Sequence, residues 1–270
     1  MTPLDKKQEA LQRLIADMGS LLVAFSGGVD STLLLKVAVS VLGERVVAFT
    51  ATSPTYPASE LSAAKSLARE MGVRQVIVNS NELEIPGFAA NPHDRCYHCK
   101  RELFLRAIAT ARDAGVTWVA DGSTVDDLSD YRPGRRALQE LGVRSPLLEA
   151  EFSKEEVRQL SRKLGLPTWD KQPFACLASR FPYGVTITEE RLQQVAACEE
   201  LLKQEGFSLY RVRYHGETAR IELAGEEMAR VLEPSCRQRI TEGFRAAGFT
   251  YVALDLDGYR SGSMNETLDR

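Results

Sequence analysis

Six residues, Ser26-Gly27-Gly28-Val29-Asp30-Ser31, follow the apolar stretch Leu21 to Phe25 and lead into an aliphatic run. Adjacent glycines let backbone N–H groups approach a ligand with no Cβ in the way. A helix starting directly after them adds unsatisfied donors and a partial positive charge, which suits phosphate. Ser26 and Ser31 offer hydroxyl donors, and Asp30 offers a carboxylate for a Mg²⁺ that bridges phosphates. The Walker pattern needs Gly-Lys-Ser/Thr, and this loop has no lysine, which argues against a P-loop NTPase. A lone Gly-Gly would be read as a tight turn. The whole hexapeptide between a strand and a helix favours a nucleotide site.

The second constellation is made of thiols. Cys96 and Cys99 form Cys-Tyr-His-Cys, placed just before a helix expected from Cys99 to Ala114, and Cys176 lies in a loop. Three chemistries fit: a Zn site completed by His98 or His93, an Fe–S cluster with three cysteine ligands and one open iron, or a redox pair beside an unrelated nucleophile. Three coincidental thiols are the plain alternative. The open-iron cluster suits sulfur chemistry best, because the free iron can carry a sulfide to an electrophile. Cys198, in an apolar-periodic helix, and Cys236, near a helix start, read as packing residues.

Arg211 and Arg213 stand two apart on an expected strand and so share one face. Paired guanidiniums make a phosphate or carboxylate clamp, or else a solvated strand edge. Glu199 and Glu222 could supply metal ligands or balancing charge, but their sequence context reads as ordinary surface.

The elements that position these groups alternate in the first half of the chain. Strands are expected at Leu21–Phe25, Val46–Ala51, Val73–Asn79 and Thr117–Ala120, with helices at Ser31–Leu42, Pro57–Met71, Cys99–Ala114 and Ser153–Leu164. That order implies a parallel sheet covered on both faces. Ser153 with Glu156 three residues on has capping-box spacing. A Pro- and Gly-punctuated loop from Asp170 to Thr188 is a linker or a working segment. Beyond it, a helix (Glu189–Gln204), strands (Phe207–Tyr214, Ala219–Leu223), a helix (Pro234–Ala247) and a strand (Thr250–Leu256) form a small α+β unit. At about 150 residues per domain, 270 residues suggest two, with domains expected at 1–180 and 181–270.

Net charge is −3, which leaves no basic footprint for a protein gripping many phosphates of a duplex. No apolar run reaches the roughly 18–20 residues of a membrane span. The N-terminus is polar and amphipathic, unlike a signal peptide, so the expected location is the cytoplasm. Five cysteines are too few for a disulfide scaffold.

The hexapeptide resembles the PP-loop of the ATP pyrophosphatase superfamily, whose members split ATP between the α and β phosphates to adenylate an oxygen. The fold so implied is an α/β parallel-sheet domain of the adenine nucleotide alpha hydrolase type. The resemblance implies that Ser26, Gly27, Gly28, Asp30 and Ser31 hold pyrophosphate and Mg²⁺. It implies adenosine near Thr50, Ala51 and Thr52 and near Asp121 and Gly122.

Further segments, DYRPGRR (130–136), CLASRFPYG (176–184), RVRYH (211–215), ARIEL (219–223) and LDLDGYRSGSMNE (254–266), stand in order. With the loop they resemble the LarE-type ATP-dependent sulfur transferases of nickel-pincer nucleotide biosynthesis, which serve lactate racemase maturation. The resemblance implies adenylation of pyridinium-3,5-biscarboxylic acid mononucleotide and conversion of its carboxylates to thiocarboxylates. Cys176 carries over as the sulfur-bearing cysteine, Arg211 and Arg213 as the substrate-phosphate arginines, Ser179 and Arg180 as site residues, and Glu199 and Glu222 as metal-site carboxylates. The single-cysteine version of the family sacrifices its own sulfur and leaves dehydroalanine. This chain, with Cys96, Cys99 and Cys176, looks like the three-cysteine version with a [4Fe-4S] cluster. A third metal-site carboxylate has no match in 224–233.

Implied partners are the nucleotide substrate, sulfide or another sulfur donor, and further copies of the chain in a homo-oligomer. A PP-loop tRNA thiolase and a non-catalytic adenine-nucleotide-binding protein are the competing readings. The acidic balance and the absence of an RNA-binding accessory region count against the first.

Overall fold

The computed structural model describes residues 2–56, 58–128, 133–172, 176–260 and 262–267. The chain forms two compact units, Met1–Asn81 with Asp94–Phe174, and Glu82–His93 with Ala175–Arg270. Pro57, at the expected start of the second helix, Asp130, Tyr131, Arg132 and Ser261, within the motifs above, and 173–175, within the expected loop, lie outside the described residues.

The first unit runs α1 (Pro3–Met18), β1 (Leu21–Ala24), α2 (Val29–Leu42), β2 (Val46–Thr52), α3 (Ala58–Glu70), β3 (Arg74–Asn79), α4 (Arg95–Asp113), β4 (Trp118–Ala120), α5 (Gly134–Glu140), α6 (Pro146–Glu149) and α7 (Lys154–Lys163). The strands lie in the order β3-β2-β1-β4 and every pairing is parallel. The two-residue period of a strand sends alternate side chains to opposite faces. Leu21, Val23, Val46 and Ala48 enter one core with α1, α2 and α7. Leu22, Val47 and Phe49 meet Phe104, Ala107 and Ala111 of α4 and Leu138 of α5 on the other face. The expected doubly covered parallel sheet is therefore present.

The N-terminal segment, read from sequence only as polar and amphipathic, is a full helix. Thr2 and Asp5 close a capping box, Pro3 starts the first turn, and Leu11, Ile15 and Met18 are buried at helical spacing. Lys7 Nζ ties α1 to α7 through Glu156, 2.8 Å away, and the Glu151 carbonyl, 2.7 Å away. The predicted Ser153–Glu156 capping box forms at the start of α7.

One boundary differs in a way that matters. Helix α4 starts at Arg95 rather than Cys99, so the whole Cys-Tyr-His-Cys run lies within its first turn and the start of its second. No turn-forming residue separates Cys96 from Cys99, and their spacing of three puts both on one helical face.

The second unit contains α8 (Glu189–Gln204), β5 (Tyr210–His215), β6 (Thr218–Leu223), α9 (Met228–Val231), α10 (Pro234–Ala246) and β7 (Tyr251–Leu254). Its sheet has the order β5-β6-β7, antiparallel then parallel. Val212, Tyr214, Ala219, Ile221 and Leu223 are buried, and α8 and α10 pack against these strands. Residues 82–93 join this unit although they are encoded between β3 and α4. Asn91, at φ 54°, donates from Nδ2 to the carbonyls of Phe181 (3.3 Å) and Pro182 (2.6 Å). The Asn91 and Ala89 carbonyls accept the N–H groups of Gly184 (2.9 Å) and Ile187 (2.8 Å).

Candidate functional site

The loop after β1 sits at the carboxyl ends of the parallel strands, where open α/β sheets bind ligands. Ser31 Oγ accepts the Ser26 N–H at 3.3 Å, and the two hydroxyls lie 3.3 Å apart. Gly28 is the N-cap of α2 and makes no side-chain cap, and the acidic residue of the first turn is Asp30. Gly27 sits at φ 68°, and a Cβ there would press on Ala64 of α3 at 3.2 Å. A Cβ on Gly122 would come within 3.1 Å of the Ser31 nitrogen and 3.2 Å of Asp30 Cβ. The turn after β4 thus abuts the first turn of α2. A site this close to backbone amides, with Ser26, Ser31 and Asp30 around it, fits a pyrophosphate and its Mg²⁺.

The surrounding groups hold the loop's backbone. Tyr56 Oη donates to the Ser26 carbonyl at 2.6 Å. Lys171 Nζ donates to the Gly27 carbonyl at 3.1 Å and to Glu60 at 2.7 Å. Burial pushes the Asp30 carboxyl up, and Lys154, whose Nζ donates to Asp30 Oδ2 at 2.6 Å, pulls it down; burial prevails. Thr50, implied near adenosine, is buried and donates to the Phe25 carbonyl at 2.7 Å. Thr52 donates to Asn79 Oδ1 at 2.7 Å, and Ala51 is half-buried. Asp121 accepts Ser145 Oγ at 2.6 Å and Ser123 Oγ at 2.5 Å, which orients the Gly122 turn. Tyr56, Lys154 and Lys171 escaped the sequence reading. They sit 25 to 145 residues from the loop, and only their tertiary placement reveals them.

In the second unit, Arg211, Arg213, Glu222 and Arg220 share one face of the β5–β6 pair. Far from being a solvated strand edge, Arg211 and Arg213 are buried. Arg213 donates to Glu222 Oε2 at 2.6 Å, to Ser263 Oγ at 2.9 Å and to the Ser179 carbonyl at 3.0 Å. Arg220 reaches the other Glu222 oxygen at 3.0 Å. Arg180, 1% exposed, grips both oxygens of Glu199 at 2.7 and 2.9 Å and Ser179 Oγ at 2.8 Å. Glu199 Oε1 also accepts the Val212 N–H at 3.0 Å.

The surface reading of Glu199 and Glu222 is therefore corrected, since each carboxylate is buried under guanidinium groups. Three buried arginines face two buried carboxylates. Burial and then the neighbouring Arg180 lower the affinity of Arg211 for its proton, and Tyr259 lies under its guanidinium at 5.1 Å. Excess of desolvated cations over carboxylates is a setting that suits an anionic group. In the 224–233 stretch, where no third metal carboxylate could be matched, Glu227 caps the Ser208 and Leu209 amides instead.

Cys96 is exposed and Cys99 half-buried on α4, and exposed Cys176 heads a 3-10 turn at Leu177–Arg180. Thiolates at this helical spacing suit Fe–S or Zn, although no group of three or more metal-ligating side chains is gathered among the described residues. Cys198 and Cys236 are buried as expected, and burial pushes the Cys198 thiol up to about 12. No described helix is long and apolar enough to cross a membrane.

Comparison with known proteins agrees with this layout. Residues 7–112 match the family model described as asparagine synthase. An uncharacterised protein of Synechocystis is 45% identical over 99% of this chain and 100% of its own length. The GMP synthase of Aeropyrum pernix is 27% identical over 75% of this chain and 43% of its own. The pyridinium-3,5-bisthiocarboxylic acid mononucleotide synthase of Lactiplantibacillus plantarum is 40% identical over 100% of this chain and 98% of its own length. That relationship runs from end to end and takes in both the PP-loop and the arginine cluster, so the chain belongs to the family of the pyridinium-3,5-bisthiocarboxylic acid mononucleotide synthases.

Proposed function

We propose that the chain is an ATP-dependent sulfur transferase acting on pyridinium-3,5-biscarboxylic acid mononucleotide. The observation that carries this reading is the 40% identity, over the full chain, to the synthase of Lactiplantibacillus plantarum. A substrate carboxylate oxygen attacks the α-phosphorus of ATP, and pyrophosphate leaves into the Ser26–Ser31 loop, where N–H donors offset the developing negative charge and Asp30 would hold a Mg²⁺ that would neutralise more of it. A sulfur nucleophile then attacks the adenylated carbonyl carbon. A C–S bond forms, the C–O bond to phosphate breaks, and AMP departs.

Arg211 and Arg213, with Ser179 and Arg180, are proposed to take the substrate phosphate. Of the two roles read for Glu199 and Glu222, their ion pairs favour balancing charge over metal ligation. In this reading Cys96, Cys99 and Cys176 hold a [4Fe-4S] cluster, which when bound supplies an exchangeable sulfide, so no cysteine is consumed. We further propose a cytoplasmic homo-oligomer.

The test is AMP and thiocarboxylate formation with the biscarboxylic mononucleotide, run with and without tRNA. Activity that needs the mononucleotide and ignores tRNA supports the assignment. Activity that needs tRNA instead gives the thiolase. Anaerobic iron and sulfide analysis, with intact mass, tests the cluster. Protein without iron whose Cys176 loses the mass of H₂S after turnover would be sacrificial.

A further inference from the structure

The PP-loop has no lysine, yet a lysine reaches it from elsewhere in the same unit. Lys154, the first residue of α7, places Nζ 2.6 Å from Asp30 Oδ2 and 3.7 Å from Asp127 Oδ1. Its backbone is fixed. The Lys154 N–H donates to Asp126 Oδ2 at 2.7 Å, and the Ser153–Glu156 box caps the same turn. The ammonium is not fixed in that way, because it ends a flexible four-carbon stem that is 41% exposed.

The neighbouring cations are committed differently. Arg158 donates to the carbonyls of Trp169 (2.8 Å) and Lys171 (2.9 Å), and Lys171 holds the Gly27 carbonyl and Glu60. They secure backbone, whereas the Lys154 ammonium holds the Asp30 and Asp127 carboxylates. A Mg²⁺ bound by Asp30 and the Lys154 ammonium compete for one carboxylate. Besides Asp127, already 3.7 Å away, a displaced ammonium beside the α2 N-terminus has a chemically suitable destination in the polyphosphate that arrives with the metal.

We propose that Lys154 is an exchange lysine of the nucleotide site: its ammonium and Mg²⁺ are alternative cations for Asp30, and on Mg·ATP binding it passes from Asp30 to the phosphates, supplying from α7 the charge that the loop lacks. The inference rests on the nucleotide reading above and adds a ligand to it. It also explains why Asp30 and Asp127, two carboxylates next to a phosphate site, do not simply repel the substrate. Until the metal arrives, the ammonium offsets them.

The experiment uses the full-length protein and Lys154→Met, with Lys154→Gln as the second neutral variant should the first not fold. Mn²⁺ alone, followed by the electron paramagnetic resonance of the free ion, should bind the neutral variant more tightly than wild type, since Asp30 has lost its competitor. Affinity for ATP with Mg²⁺ should fall by about ten- to a hundredfold, the size of a lost charge-assisted hydrogen bond. AMP affinity should stay within about twofold, because AMP carries no pyrophosphate. Lys154→Arg should recover part of the ATP loss. Unchanged Mn²⁺ affinity, or equal changes in ATP and AMP affinity, would make Lys154 a structural ion pair and overturn the proposal. If wild type itself fails to bind ATP, the nucleotide reading falls first, and this inference falls with it.

Discussion

At Asp30 a single carboxylate stands at the start of a helix whose N-terminus no side chain caps. Asp30→Ala should lower AMP formation by about 10²–10³, the usual loss when one stabiliser of transition-state charge is removed. Thermal stability should stay near wild type, because the carboxylate's ion-pair partner, Lys154, is part-exposed. Unaltered AMP release would remove Asp30 from the site. The arginine pair should divide in a way that the sequence alone could not foresee. Either alanine variant should weaken substrate binding by ~1.5–3 kcal/mol while ATP binding holds. Arg213→Ala should in addition destabilise the fold by about 3–5 kcal/mol, because it breaks a buried pair and leaves Glu222 with less compensation. Arg211→Ala should lower the melting temperature far less, because burial disfavours the very charge that the substitution removes. Equal losses of stability in the two variants would contradict this division.

At the scale of elements, the strand ends do the positioning, and Gly122 is where two of them meet. Gly122→Ala should push a Cβ to about 3 Å from the first turn of α2, costing about 1–3 kcal/mol of strain, and should weaken ATP binding. Calorimetry and nucleotide titration together would check it, and a variant with wild-type ATP affinity would show that the turn has room to give.

This is also the scale at which the sequence was most and least legible. β1, α2, β2 and the α7 capping box could be read because apolar runs and cap residues are local signals. α1 was read only as polar and amphipathic because its apolar stripe of Leu11, Ile15 and Met18, though at helical spacing, is narrow and lies among charges. The start of α4 was misjudged because Cys-Tyr-His-Cys has no strong propensity, so tertiary packing set the boundary. At the site, the loop and the arginines were visible as motifs. The burial of Glu199 and Glu222 was not, because it depends on guanidiniums 9 to 19 residues away finding them.

For the molecule as a whole, the excursion of residues 82–93 governs the second unit. Asn91 serves two carbonyls with its side chain and one amide with its own carbonyl. Asn91→Ala should destabilise this unit by about 1–3 kcal/mol through unsatisfied buried polar groups. Amide hydrogen exchange should quicken at Gly184 and Ile187, while the amides of the parallel sheet keep their protection. Uniform quickening throughout the chain would mean that the two units do not respond separately.

Because 82–93 belong with 175–270, the chain passes between the units three times, after residues 81, 93 and 174. That bears on how such a protein can be inherited and recombined. A gene cut once at the 174–175 junction would deliver a second unit stripped of the twelve residues that hold its 181–187 segment. A hybrid of two relatives joined there should misfold locally, and moving 82–93 from the same parent should rescue it. Lineages that alter the second unit must therefore keep a stretch of the first half of the gene in step with it, so that unit cannot be exchanged as a simple cassette.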